Sequence, residues 1–208
     1  DRVKGYRNFL NKIWNANNFL IQNSCDFTDI NKSKNVKENI NKWIITEFLL
    51  VKENIKKNIN DYRFDEAAKN VYQFVWHSFC DWYLELSKTI YFSDNQSSKD
   101  ETRAVSAYVF REILILLHPF IPFITEEVWL KNKLDKNSKD YLMFANWAAN
   151  EATTDKSHVE VNKIIDFITS IRSFKNELGV PPGSLIEVSL EKTNNEIKNF
   201  FDLNKIIL

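Results

Sequence analysis

Apolar residues recur at three- and four-residue intervals through most of residues 1–130, which is the period of an amphipathic helix. The pattern predicts five helices, over residues 3–22, 38–60, 65–92, 100–117 and 122–129. Pro119 and Pro122 end the fourth helix and begin the fifth, because proline disfavours a helical conformation in the residue before it and fits a first helical turn. Short connections between the segments predict an antiparallel helical bundle.

The pattern changes after residue 147. Small and polar residues at 148–156 predict a linker, and a helix is predicted over 159–178 with Gly179 as its terminator. Residues 185–191 alternate, so that Ile186, Val188 and Leu190 share one face of a predicted strand. Helical periodicity returns over 194–204. One strand cannot close a sheet, so we expect 148–208 to be a linker and an incomplete α/β junction that leads to a C-terminal arm outside this chain.

The predicted fold class is mainly α, with an antiparallel helical bundle over 1–147 followed by the start of a small α/β segment. The scarcity of chain-breaking residues, 3 Gly and 4 Pro in 208, favours long helices over a turn-rich β fold. Because the sequence lacks an initiating Met and stops without a helix cap, we expect both ends to be boundaries within a longer protein.

The charges are balanced, since Lys and Arg total 28 and Asp and Glu total 28. This balance argues against a general nucleic-acid coat protein, which is usually basic, and leaves open a protein that reads a few exposed bases. No apolar run approaches the ~18 residues of a membrane span. Cys25 and Cys80 lie among apolar residues without CxxC spacing, which predicts buried thiols in a reduced, cytoplasmic protein.

The first helix has the most informative surface. Its apolar arc, which the periodicity directs toward the core, consists of Val3, Tyr6, Phe9, Leu10, Ile13, Trp14, Ala16 and Leu20. Its polar arc consists of Lys4, Arg7, Asn8, Asn11, Asn15, Asn18 and Gln22, with Lys12 and Phe19 at one border. Asn offers a donor and an acceptor that suit base edges, Arg offers a phosphate fork, and Phe19 offers a ring for an unpaired base. The polar arc is therefore a candidate RNA-binding face.

Simpler interpretations stand beside this one. Asn and Lys are frequent throughout the chain, so the polar arc can equally be a solvated surface. His77 and Cys80 lie one helical turn apart, but zinc needs two further ligands and none is patterned here. The basic clusters Lys52, Lys56 and Lys57, and Lys131, Lys133, Lys136 and Lys139, are by default solvated.

Four blocks of sequence resemble class I tRNA ligases specific for valine, isoleucine and leucine. They are residues 5–16 (GYRNFLNKIWNA), 60–68 (NDYRFDEAA), 79–88 (FCDWYLELSK) and 118–129 (HPFIPFITEEVW). The third block is similar to the valine-specific members in particular, and the fourth is shared more widely. Residues 171–182 (IRSFKNELGVPP) also resemble the next segment of the valine-specific members. The blocks occur in family order over most of residues 3–130.

The resemblance implies the anticodon-binding helical domain of a valine–tRNA ligase, whose valine activation with ATP and Mg²⁺ takes place in other domains. This chain is then non-catalytic and holds no cofactor or metal. Its expected partners are the anticodon loop of a valine-accepting tRNA and the catalytic and editing domains of the same polypeptide, in a monomer without membrane contact. From the matched first helix, the residues expected nearest the RNA are Arg7, Asn11, Asn15, Asn18 and Phe19, with Lys12 at the edge.

Two alternatives remain at this point. The same domain of an isoleucine–tRNA ligase is the close one, and block 79–88 argues against it. The other is a helical protein-interaction module without an RNA role. A tRNA affinity that changes with the anticodon sequence would support the RNA-binding domain, whereas salt-labile, sequence-blind binding or no binding would support that module.

Overall fold

The computed structural model describes residues 2–27, 36–132, 141–147, 156–181, 183–189 and 191. They are mainly α-helical, as predicted, and none of them lies in a strand. The α-helices of this described part are α1 (Arg2–Gln22), α2 (Asn39–Asn60), α3 (Phe64–Gln73), α4 (Leu84–Tyr91), α5 (Gln96–Leu117), α6 (Pro122–Lys131) and α7 (Lys156–Glu177). A π-helical segment, Phe74–Tyr83, joins α3 to α4, and Leu142–Phe144 form a 3₁₀ turn. Contacts divide the chain into two compact units, residues 1–158 and 159–208.

Local signals account for the helix ends. α5 begins at Gln96, four residues before the predicted start, because the Asn95 side chain accepts a hydrogen bond of 3.2 Å from the Ser98 amide and caps the helix. α6 begins at Pro122, as predicted, and continues to Lys131 rather than stopping at Trp129. Residues 96–99, which lie between the predicted helices 65–92 and 100–117, are thus helical.

The helix predicted over 65–92 is right-handed throughout but changes its hydrogen-bond register in the middle. The ten residues of the π-helical segment have i to i+5 bonding, and the flanking Gln73 and Leu84 keep right-handed α dihedrals. Phe74, Phe79 and Tyr83 of this segment are buried. A periodic pattern specifies the buried face of a helix rather than its register, so the wider turn could not be predicted.

A buried polar network joins the elements of the first unit. The Tyr83 hydroxyl donates to Asn41 Oδ1 (2.9 Å) and lies 3.0 Å from Ser106 Oγ, which lies 2.7 Å from the Tyr91 hydroxyl. Burial raises the pKa of both phenols above the ordinary value. Cys25 lies 3.6 Å from the Tyr91 oxygen, and burial raises the pKa of its thiol to about 11. These contacts fix α2, α4, α5 and the π-helical segment around one centre.

In the second unit, α7 ends as predicted. Gly179 has a φ of +67°, and the Val180 and Gly179 amides donate to Lys175 O (2.9 Å) and Asn176 O (3.1 Å), which is the Schellman arrangement. Only glycine adopts this left-handed conformation without steric cost.

The strand predicted over 185–191 is not formed in the described residues there, because none of them has a neighbouring strand to complete a ladder. Ile186 and Val188 instead line an open groove of about 660 Å³ against α7. The helix predicted over 194–204 and most of the linker predicted over 148–156 lie outside the described residues. Among the described helices, none has the length and apolar character needed to cross a bilayer.

Candidate nucleic-acid interface

The polar arc of α1 is open to solvent. All of its members are exposed except Asn18, which is half-buried. Within the described part of the chain, Arg7, Asn11, Asn15 and Asn18 make no side-chain hydrogen bond or ion pair. Their donors and acceptors are therefore available to a ligand, and we call the surface formed by these four residues the amide face.

The opposite side of α1 is buried only from Phe9 onward. Ile13 and Leu20 are completely buried, whereas Val3 and Tyr6 are 77% and 64% exposed. The prediction that these two residues face the core is wrong, because residues 3–8 are all exposed and burial of the helix begins at Phe9. A side chain built at Gly5 would meet no atom within 4 Å.

Aromatic residues hold the buried side of α1 in place. The Phe9 ring lies 4.6 Å from the Tyr72 ring and 6.2 Å from the Trp76 ring, and the latter two rings stack at 5.6 Å. Such ring pairs add to the apolar area that the helix buries. This cluster fixes the rotation of α1 about its axis, and the amide face is turned outward as a result.

Lys12 borders the amide face but is directed toward the π-helical segment. Its ammonium forms an ion pair with Asp81 and lies 4.3 Å from the centre of the Trp76 ring. The Nδ1 atom of His77 also lies 3.3 Å from Asp81 Oδ2. The structure thus places Lys12 beside the predicted RNA-facing residues with its charge already paired.

Phe19 lies on the same border and is half-buried. Its ring centre is 6.0 Å from that of Tyr91, and the Lys88 ammonium lies 5.8 Å from the ring. Lys88 also donates to Glu85 at 2.7 Å. Phe19 therefore packs partly into the bundle, and only part of its ring remains available to a base.

The other border of the amide face has a similar arrangement. The Lys131 ammonium, at the end of α6, lies 4.2 Å from the centre of the Trp14 ring. Trp14 was assigned to the apolar arc and Lys131 to solvated surface, so this pair was not predicted. Lys131 and Trp14 are far apart in sequence, and nothing in the residues around either one indicates the contact. The same holds for Lys12 with Trp76 and for Lys88 with Phe19.

The cysteine near this surface, Cys80, is buried. Burial raises the pKa of the Cys80 thiol to about 12, so the thiol is neutral at neutral pH. In the part of the chain that the structure describes, no group of three or more His, Cys, Asp or Glu side chains could hold a metal ion. The surface offers amides, a guanidinium, ammonium groups and ring faces, which are groups that can bind nucleic acid.

Comparison with known proteins supplies the family context. Residues 41–190 match the family described as the anticodon-binding domain of tRNA ligase. A protein of Pelagibacter ubique (strain HTCC1062) named valine–tRNA ligase is 62% identical over 208 residues, which are 100% of this chain and 24% of that protein. One of the same name from Rhizobium meliloti (strain 1021) is 41% identical over 185 residues, 88% of this chain and 20% of its own length.

A third, from Brucella suis biovar 1 (strain 1330), is 37% identical over 194 residues, 93% of this chain and 21% of that protein. The chain thus spans between about a fifth and a quarter of the length of these relatives. α1 lies before the residues that match the family, although the Pelagibacter protein aligns with it as well.

Proposed function

Because the chain belongs to the family of anticodon-binding domains of tRNA ligases, we propose that it binds the anticodon loop of a valine-accepting tRNA as part of a valine–tRNA ligase. The name shared by its relatives supports the choice of amino acid. In this proposal, the activation of valine with ATP and its transfer to tRNA occur in the parts of a monomeric cytoplasmic enzyme that lie outside this chain. The chain itself positions the tRNA.

The observation that carries the proposal is the amide face. Asn11, Asn15 and Asn18 recur at helical spacing, and amides there can pair with the edges of unstacked bases. Arg7 stands one turn before Asn11, where a guanidinium can bind a phosphate or stack on a base.

Local charge favours the same ligand. The whole chain is neutral, but α1 has the basic residues Arg2, Lys4, Arg7 and Lys12 and no acidic residue. A phosphate backbone approaching this helix meets the charges of the exposed Lys4 and Arg7, whereas the charge of Lys12 is paired with Asp81. Overall neutrality limits sequence-blind attraction to nucleic acid, and this leaves base contacts to provide the specificity.

The first prediction concerns two residues of this face. The double substitution Arg7→Ala and Asn15→Ala should weaken binding of a valine-accepting tRNA by about tenfold or more, since each base or phosphate contact contributes about 1–3 kcal/mol. Both side chains are exposed, so the free energy of unfolding should change by less than about 0.5 kcal/mol. Filter binding of the 208-residue chain and urea unfolding measure the two quantities.

A matched control separates the face from general surface charge. Lys57→Ala with Asn54→Ala removes one basic residue and one amide from exposed positions on α2, and tRNA affinity should remain close to that of the parent. A second RNA, with its anticodon nucleotides replaced, should bind the parent chain more weakly. Equal binding of both RNAs, or equal losses in both double variants, would contradict anticodon recognition and support a protein-interaction module.

A chimera extends the test to catalysis. The corresponding 24% of the Pelagibacter enzyme is replaced by this chain, with and without the Arg7 and Asn15 substitutions. The chimera should attach valine to tRNA, and the substituted form should require higher tRNA concentrations. A chimera whose aminoacylation ignores the two substitutions would contradict the proposed role of α1.

A further inference from the structure

The three lysine–aromatic pairs beside the amide face differ in how their charges are balanced. Lys12 is paired with Asp81, and Lys88 is paired with Glu85. Lys131 is exposed, and within the described residues it has no carboxylate partner. Of the three ammonium groups, only that of Lys131 reaches a border of the amide face with its charge uncompensated by a described side chain.

Trp14 brings this charge next to the amide face. It follows Asn11 by three residues and precedes Asn18 by four, so its side chain neighbours both on the helix surface. The indole is half-buried, and the ammonium lies 4.2 Å from its centre. A cation over an indole is attracted by the negative face of the ring, which holds Lys131 near the line of asparagines.

A second contact fixes the end of α6 on α1. Asn132, which follows the last residue of α6, donates from Nδ2 to Asn17 Oδ1 at 2.7 Å. Asn17 is completely buried, and its own Nδ2 has no hydrogen-bond partner among the described residues. The bond satisfies the oxygen of this buried amide group and ties the residue that follows α6 to α1. It thereby helps to hold the preceding residue, Lys131, beside Trp14.

From this arrangement, and resting on the proposed function, we infer that Trp14 and Lys131 form a phosphate subsite for the same RNA loop. The Lys131 ammonium binds a backbone phosphate of a nucleotide whose base lies on the amide face. Trp14 is a positioning residue that holds the ammonium at that border. The interface then includes the C-terminal end of α6 as well as α1.

The salt dependence of RNA binding tests this subsite. Lys131→Gln keeps most of the side-chain stem and removes the charge. It should weaken binding of the anticodon stem-loop RNA about fivefold at low salt and reduce the slope of log affinity against log salt by about one, the contribution of one phosphate contact. Lys131→Arg should retain the affinity and the slope. Trp14→Leu should give an intermediate loss of both, because it releases the ammonium.

Lys57→Gln is the matched control, since Lys57 is an exposed lysine in the last turn of α2 as Lys131 is in the last turn of α6. It should change neither quantity, which removes the helix dipole as an explanation. If Lys131→Gln leaves slope and affinity unchanged while the Arg7 and Asn15 variant loses affinity, the subsite is refuted and the proposed function stands. If neither variant loses affinity, both fail. Equal changes in the slope of log affinity against log salt for Lys57→Gln and Lys131→Gln would also overturn the subsite.

Discussion

Lys12 shows how a neighbouring residue can alter the role that sequence assigns. A helical wheel places it at the edge of the amide face, available to RNA. The structure pairs its ammonium with Asp81, on the π-helical segment, and the Trp76 ring lies beneath it. To reach a phosphate, Lys12 would have to leave a carboxylate, so its predicted RNA contact depends on Asp81.

Asp81→Asn should therefore strengthen tRNA binding, by about two- to fivefold. The substitution releases Lys12 and removes a negative charge from the border of the interface, which lowers repulsion of phosphate. The pair is partly exposed, so its loss should cost only about 0–1 kcal/mol of stability. Filter binding and urea unfolding of the same variant measure both effects.

The double variant Asp81→Asn with Lys12→Met identifies the cause. If released Lys12 binds the RNA, adding Lys12→Met should remove the gain in affinity. If the gain persists, the removed carboxylate alone is responsible, and Lys12 does not belong to the interface. No gain in the single variant would argue against RNA binding on this side of α1.

At the scale of elements, α2 depends on a distant carboxylate for its start. Glu101, on α5, accepts hydrogen bonds from the Lys37 and Glu38 amides, both at 2.9 Å, and from Asn41 Nδ2 at 3.0 Å. The N-terminal amides of a helix lack partners within it and favour negative charge. Glu101 thus replaces a local cap, since the N-cap residue Glu38 makes no side-chain cap bond.

Glu101→Gln should lower the free energy of unfolding by about 1 kcal/mol, because the amide loses the charge and one of two acceptor oxygens. Urea denaturation followed by circular dichroism measures the change. Glu85→Gln is the control, since Glu85 makes an exposed pair with Lys88, and it should cost less than about 0.5 kcal/mol. Equal losses in the two variants would contradict a capping role for Glu101.

These elements show what the sequence could and could not predict. The amide face was predictable because it depends on spacing within one helix, and Pro122 and Gly179 marked ends through their own backbone preferences. The cap from Glu101 and the pairing of Lys131 with Trp14 join residues distant in sequence, so neither had a local signal. The alternation over 185–191 predicted a strand with one buried face, but Ile186 and Val188 are exposed, and Glu187 and Ser189 line the same groove. A strand also requires a partner that periodicity cannot supply.

At the scale of the whole molecule, neutrality and burial act together. The chain has a formal net charge of zero at neutral pH, so repulsion between like charges does not lower its stability overall. Burial raises the pKa of two thiols and two phenols in the first unit, and these groups stay protonated in the folded state when the pH rises. Their ordinary pKa values are 9.0 for the thiols and 10.0 for the phenols.

The free energy of unfolding should consequently fall as the pH rises above about 9. There the unfolded chain releases protons that the folded chain retains, and each such group contributes a slope of about −1.4 kcal/mol per pH unit. The folded thiols of Cys25 and Cys80 have pKa values of about 11 and 12, so their contributions extend to those pH values. Tyr83 and Tyr91 add to the decline above about pH 10.

Lys52 opposes this decline, because burial lowers the pKa of its ammonium and the folded chain then binds fewer protons than the unfolded chain below pH 10.5. The stabilisation that Lys52 gives as the pH rises is smaller than the destabilisation from the two thiols and two phenols together. Urea unfolding at pH values from about 7.5 to 10.5 measures the slope of the free energy of unfolding against pH. Between pH 9 and 10, Cys80→Ala should make this slope less negative by about the contribution of one thiol. A free energy of unfolding that stays constant to pH 10.5 would mean that these side chains meet water in the folded protein, contrary to the packing of the network around Tyr83.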